Sequence, residues 1–244
     1  MGFSDQNKIG GMIESHNEPL ILDDLSAGYK GRPPVLAHVN HQFPSKGLHV
    51  IIGRNGAGKS TLIRTLAGLQ APLSGSVQLN ATSLHNLPAN ERAQRVAFVS
   101  SVPPRTSELR VHEVLALASG DEERNRSMLQ AAGDPSWWKR RLQELSDGEA
   151  QRVMFIRALL QGTDWILLDE PTAFLDVPAR LALWRELTAA ASKGVGVLVA
   201  THDYGEIQGH AEIDSIAMVG NHRLRPLSVR ASASDWTAAL MVEL

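Results

Sequence analysis

Gly53-Arg54-Asn55-Gly56-Ala57-Gly58-Lys59-Ser60-Thr61 decides how this chain is read. The nine residues fit G-x-x-x-x-G-K-[ST], the pattern of a phosphate-cradling loop. Leu48 to Ile52 before it reads as a short buried strand, and Ser60 to Leu69 after it as a helix with Leu62, Ile63 and Leu66 at helical spacing. The glycines allow a sharp turn and let backbone N–H groups approach an anion. Lys59 adds positive charge for the β- and γ-phosphates of a nucleotide, and the Ser60 hydroxyl can ligate Mg²⁺. A glycine turn with a chance lysine is the bland alternative, and the flanking strand and helix weigh against it.

Composition narrows the classes outside that loop. The chain has 244 residues and a net charge of −2, so no basic surface points to nucleic acid or anionic lipid. There is no cysteine, which excludes disulfides and thiolate metal sites. No uncharged apolar run approaches the roughly 18 residues of a membrane span. Residues 1–18 are polar and glycine-containing and are expected to be a flexible leader.

Outward from the loop, Leu20 to Tyr29 and Val35 to Phe43 read as strands, with Gly31-Arg32-Pro33-Pro34 as the turn between them. Ser76 to Asn80 is short and extended. Leu87 to Arg92 suits a helix start with proline in its first turn. Val96 to Val99 is a strand. From Arg110 to about Gln161 the pattern is helical throughout: Val111 to Ala118, Glu122 to Ala132, a Pro135-Ser136-Trp137-Trp138 corner, and Ala150 to Leu160. Strands return at Trp165 to Leu168 and Val195 to Ala200, with a helix from Val177 to Ala191 between them. His210 to Met218 and Arg223 to Val229 read as a closing strand pair or meander. The expected fold is α/β: a P-loop NTPase core with a mainly parallel sheet, an antiparallel N-terminal β element and an inserted helical lobe.

Two further stretches carry chemistry. Trp165 to Leu168 is an apolar strand that ends in Asp169 and Glu170. A strand tip places Asp169 to hold Mg²⁺ and Glu170 to orient or deprotonate a water. Leu145-Ser146-Asp147-Gly148-Glu149 precedes a helix. Ser146 and Glu149 form a capping box there, a complete structural explanation, and Ser146 with the backbone near Gly148 can also make a second anion site.

In order, these pieces resemble the ATP-binding cassette (ABC) ATPase family over about Leu20 to Met218. Gly53 to Thr61 corresponds to its Walker A motif, Leu145 to Glu149 to its LSGGQ signature, and Leu168 to Thr172 to Walker B with the catalytic glutamate. Ala173-Phe174-Leu175-Asp176 corresponds to the D-loop, Ala200 to Asp203 to the segment carrying the switch histidine, and Tyr29 to the aromatic that stacks on adenine. Asp147 and Glu149 replace a glycine and a glutamine of the signature. Ser101 stands where the family usually has a glutamine, which implies slow basal turnover. Blander readings exist for Tyr29 (a strand-end aromatic), His202 (a satisfied strand-tip histidine) and Asp176 (a helix N-cap).

The resemblance implies catalytic roles for Glu170, His202 and Lys59, and nucleotide contacts from Tyr29, Gly53, Arg54, Asn55, Gly56, Ala57, Gly58, Lys59, Ser60 and Thr61. It adds Ser146, Gly148, Glu149 and Asp176 to the nucleotide contacts, with Mg²⁺ on Ser60 and Asp169. Residues 19–244 are expected to form one ABC ATPase domain, with the helical lobe at about 102–161. ATP and Mg²⁺ are the implied cofactors. Two copies would pair head to tail and dock on integral membrane permease subunits, with no nucleic acid partner and no membrane insertion. The location implied is cytoplasmic, peripheral on the inner face of the cell membrane. Leu-Ser-Asp-Gly-Glu with Asp-Glu-Pro-Thr-Ala-Phe-Leu-Asp looks most like the ATPases of iron–siderophore, haem or cobalamin uptake. The competing readings are a soluble ABC ATPase acting on a macromolecular complex, and a regulatory protein that binds ATP without turnover.

Overall fold

The computed structural model of this chain describes residues 18–79, 81–104, 106–207, 212–230 and 235–236. The leader expected at residues 1–18 lies outside them except for Glu18. That residue belongs to the folded part, its carbonyl accepting a hydrogen bond from Trp165 Nε1 at 3.1 Å.

Among the described residues, ten strands form two sheets. β1 (Leu20–Ala27), β2 (Leu36–Phe43), β4 (Ser74–Leu79) and the two-residue β5 (Thr82–Ser83) make an antiparallel sheet ordered β2-β1-β4-β5. β3 (Gly47–Ile52), β6 (Val96–Val99), β7 (Trp165–Asp169), β8 (Gly196–Thr201), β9 (Ile213–Gly220) and β10 (Arg223–Leu227) make the second, ordered β10-β9-β3-β8-β7-β6. All its pairings are parallel except β9 with β10. The helices are α1 (Lys59–Leu66), α2 (Ala89–Arg95), α3 (Val111–Ala116), α4 (Glu122–Ala132), α5 (Asp147–Gln161), α6 (Val177–Ser192) and the short α7 (Tyr204–Ile207).

The apolar runs of β3, β7 and β8 follow from burial on both faces. Ile51, Leu167 and Leu198 pack with α1 and the antiparallel sheet, while Val50, Leu168 and Val199 pack on the other face with Trp184 and Leu187 of α6. Full burial of each such leucine contributes about 1.5–3 kcal/mol before ordering costs. A third cluster forms the helical lobe, joining Val111, Leu115, Leu129, Trp138, Leu142 and Ile156. Trp137 and Trp138 pack in this lobe.

Several boundaries differ from the sequence reading. β1 stops at Ala27, which leaves Tyr29 in the following loop. α1 ends at Leu66, not Leu69, because Gly68 turns left-handed (φ 69°) and leaves Leu69 60% exposed. Pro88 caps α2 from outside rather than lying in its first turn. Within the lobe, the corner expected at residues 135–138 is a 3₁₀ segment, Pro135–Lys139, and Leu142–Glu144 is a second short 3₁₀ turn where the sequence reading continues as helix. α5 starts at Asp147, three residues before Ala150, because the capping box initiates it there. The closing pair is β9 and β10, joined by Asn221 and His222, both at positive φ (43° and 60°), as a two-residue hairpin turn requires.

Candidate active site

β3, β8 and β7 are neighbours in the parallel sheet, so their carboxyl ends come together. Ile52 lies opposite Thr201, and Asp169 opposite Ala200. Gly53, Asp169 and His202 therefore leave the sheet along one edge, the usual ligand crevice of an open α/β sheet.

The loop before α1 is shaped by steric necessity at Gly58. Its φ is 108°, and a Cβ there would stand 2.2 Å from Val35 Cγ1. Any other residue would be strained and would push β2 away. Val35 closes the loop that begins at Gly28 and carries Tyr29, whose side chain is 49% exposed rather than packed over the core. Arg54, Asn55, Gly56 and Ala57 line a groove of about 260 Å³ with Val219, Gly220 and Asn221.

Lys59 is only 5% exposed, yet its ammonium is well supplied. It donates to the carbonyls of Gly53 (2.9 Å) and Arg54 (3.2 Å) and faces Glu170 Oε1 at 3.1 Å. Ser60 Oγ donates to Asp169 Oδ1 at 2.9 Å, joining two residues 109 positions apart. Asp169 is fully buried, and its Oδ2 has no partner. Burial pushes its carboxyl above the usual carboxylate range, against the pull of the Ser60 hydrogen bond and of Arg64 and Lys59. A hydroxyl beside a carboxylate with a spare buried oxygen is a donor set that suits a hard divalent cation.

Glu170 is at φ 47°, a left-handed conformation for a non-glycine residue. Its N–H donates to Ala200 O at 2.8 Å. That posture sends the carboxylate between Lys59 and His202, with Oε2 2.7 Å from His202 Nδ1 and 3.3 Å from the His202 N–H. His202 is 48% exposed and so combines a fixed inner nitrogen with an outward face. Lys59, Ser60, Asp169, Glu170 and His202 are thus one contact cluster.

Ser146, Gly148 and Glu149 form a second cluster. Ser146 Oγ accepts from the Glu149 N–H (3.2 Å), and Glu149 Oε2 accepts from the Ser146 N–H (2.7 Å), so the capping box is real. Glu149 Oε1 also lies 3.6 Å from Arg140. Gly148 packs on the D-loop so closely that a Cβ would meet Phe174 O at 2.9 Å. Asp176 caps α6, its Oδ1 accepting from the Ala179 N–H at 2.9 Å. Ser146, Glu149, Phe174 and Asp176 help line a cleft of about 570 Å³ between lobe and core. This cluster and Tyr29 do not join the contacts of Lys59 and Glu170.

Two supports lay beyond sequence reasoning. Arg180 on α6 holds Leu175 O (2.8 Å) and reaches Asp203 (3.5 Å), bridging the D-loop to the segment after His202. Gln151 bonds the Ser100 carbonyl from within α5. Neither spacing nor periodicity carries a signal for contacts between such distant segments.

Residues 36–173, more than half of the chain, match the sequence profile described as ABC transporter. The iron(3+)-hydroxamate import ATP-binding protein FhuC of Bacillus subtilis is 32% identical over 197 residues, covering 75% of this chain and 73% of that protein. The hemin import ATP-binding protein HmuV of Bordetella pertussis is 34% identical over 216 residues, covering 81% and 82%. A solved ATP-binding subunit of an ABC transporter superposes with a TM-score of 0.77 at 28% identity, covering 91% of this chain and 99% of that one.

Proposed function

The chain belongs to the ABC transporter family, and on that footing we propose that it is the ATP-binding and ATP-hydrolysing subunit of a membrane importer for metal chelates. The observation that carries the enzymatic part is the contact chain Ser60–Asp169 and Lys59–Glu170–His202 across three adjacent strand tips. The reaction is ATP + H₂O → ADP + phosphate. Lys59 and the amides of Gly53 to Thr61 hold the phosphates, with Arg54, Asn55, Gly56, Ala57 and Gly58 forming the cradle. Ser60 and Asp169 would hold Mg²⁺, which would neutralise charge on the phosphates. Tyr29 stacks on adenine.

Glu170 takes the proton of the attacking water, and His202 keeps its carboxylate aimed. Phosphate oxygens entering the loop compete with Glu170 for the Lys59 ammonium, so nucleotide binding frees the base from its ion pair. Ser146, Gly148, Glu149 and Asp176 complete the site of a second copy, which accounts for their lying apart from Lys59 within one chain. Two copies paired head to tail then hold two nucleotides.

Among the described residues no helix is long and apolar enough to cross a membrane. In this reading the paired copies sit on the inner face of the cell membrane against integral permease subunits. The chelate class follows from the names of the relatives, iron-hydroxamate and hemin import proteins. Mg²⁺-dependent steady-state phosphate release by the purified chain tests the ATPase assignment; no release above buffer overturns it. Affinity purification from membranes tests the importer assignment. Recovery of ribosomal or DNA-bound proteins in place of a polytopic membrane subunit would favour a soluble machine.

A further inference from the structure

β6 ends at Val99, opposite Leu168 and so one residue short of the Asp169 tip. Ser100 and Ser101 leave the sheet there, beside the catalytic cluster. The Ser100 carbonyl accepts a hydrogen bond from Gln151 Nε2 at 2.8 Å. Gln151 lies in α5 and is 3% exposed. With Val99, Arg152, Phe155, Pro171, Leu175 and Leu183 it lines a small void, and its Oε1 is buried without a partner. A buried amide with one unmet acceptor is a poor packing choice, since an apolar side chain of similar size would carry no such cost. The bond to Ser100, not the packing, accounts for the residue.

The same helix begins at the Ser146 cap. Gln151 is five residues further on, about 7.5 Å along the axis at 1.5 Å per residue. We propose that Gln151 is a positioning residue for ATP hydrolysis: it ties the helix that carries Ser146 and Gly148 to the Ser100–Ser101 segment beside Asp169. The proposal rests on the ATPase reading above. Gln151 grips the backbone of this segment from within α5. When Ser146 engages nucleotide held by the second copy, any shift of α5 is passed through one hydrogen bond to the segment facing this chain's own nucleotide.

The test uses the purified full chain with Gln151→Leu and Gln151→Glu. Each is measured for kcat, KM for ATP, thermal midpoint, and hydrogen exchange of the amides at 99–102. Gln151→Leu is expected to lower kcat about tenfold through loss of alignment, with KM within about twofold. Exchange at 99–102 should rise while exchange in α4 stays as in the parent. Gln151→Glu keeps the shape, so it serves even if Gln151→Leu melts early. Its carboxylate cannot donate to Ser100 O, but the protonated acid can. Its kcat relative to the parent should therefore recover from pH 8 to pH 6, a recovery that Gln151→Leu cannot show.

A lowered melting point with unchanged kcat, unchanged exchange at 99–102 and no pH-dependent recovery would overturn the proposal and leave Gln151 as packing. Those outcomes with an active parent condemn the tether alone. Parent turnover that Glu170→Gln fails to reduce condemns the ATPase reading instead, and the proposal with it.

Discussion

Glu170→Gln separates two effects that the geometry joins. The Glu170 carboxylate stands 3.1 Å from Lys59 Nζ and 2.7 Å from His202 Nδ1. Glutamine keeps the shape but carries no charge and cannot take a proton from water. A positioned general base contributes about 10²–10⁴-fold, so phosphate release should slow by that factor. This corresponds to roughly 3–5 kcal/mol of barrier at 1.36 kcal/mol per decade. Binding should move the other way. Lys59 has to leave Glu170 to meet phosphate, and both side chains are largely shielded from solvent, at 5% and 15% exposed. Exchanging a charge-assisted contact for a neutral one weakens that competition by about 1–2 kcal/mol. The gain in ATP affinity is then about 5–30-fold. A fluorescent ATP analogue titrated against both proteins measures the affinity, and rapid-quench phosphate release measures the chemistry. ATP-bound pairs of the variant should also accumulate on size-exclusion chromatography. Turnover at the parent rate refutes Glu170 as base. Affinity below the parent's refutes the competition between Glu170 and phosphate for Lys59.

Three further outcomes follow from other parts of the molecule. Lys59→Ala should weaken nucleotide binding by about tenfold or more, since the loop loses its buried ammonium for the phosphates; equal affinities in the same titration would sink the phosphate-binding assignment. Ser146→Arg in a Glu170→Gln background should leave the chain folded but abolish ATP-driven pairing, and an unchanged dimer yield by size exclusion would reduce residues 145–149 to a capping box. Burial pushes the imidazoles of His41, His49 and His85 below their ordinary value, with the neighbouring His49 adding to the effect on His41. Groups lowered in the fold bind fewer protons than in the unfolded chain, so their stabilisation is complete above about pH 6.5 and is lost as pH falls below it. Thermal midpoints measured from pH 8 to pH 5 should drop on the acid side, and a flat profile would show that these histidines are not held neutral.

Much of this was legible because local and distant signals agreed. The strand Leu48 to Ile52, the glycine loop and Leu62, Ile63 and Leu66 each pointed to one arrangement, and the Ser60–Asp169 bond joins the two motifs as their chemistry required. The capping box is visible in the spacing of Ser146 and Glu149 and starts α5 at Asp147. What stayed hidden depends on tertiary contact. Glu170 precedes a proline, which favours extended backbone, yet it sits at φ 47°. Its N–H is satisfied by Ala200 on the neighbouring strand, a partner that no local pattern names. The corner at Pro135 was legible from its proline, but the 3₁₀ turn at Leu142–Glu144 was not, because its apolar spacing also fits an α-helix. Gln151 looks like an ordinary polar helix residue until the Ser100 loop is seen to cover it.

The hairpin that closes the parallel sheet has a bearing on how the chain behaves in concentrated solution. β10 is the outermost strand, and a free strand edge is a template on which another chain can add itself. Here that strand reads Arg223-Leu224-Arg225-Pro226-Leu227, with Leu224 turned into the core and Arg223, Arg225 and Pro226 exposed. Pro226 has no N–H to offer a newcomer, and two arginines set like charges opposite any second copy in the same register. At the far edge β6 is only four residues long. The sheet therefore ends on both sides in strands ill-suited to self-templating, and aggregation by sheet extension is disfavoured.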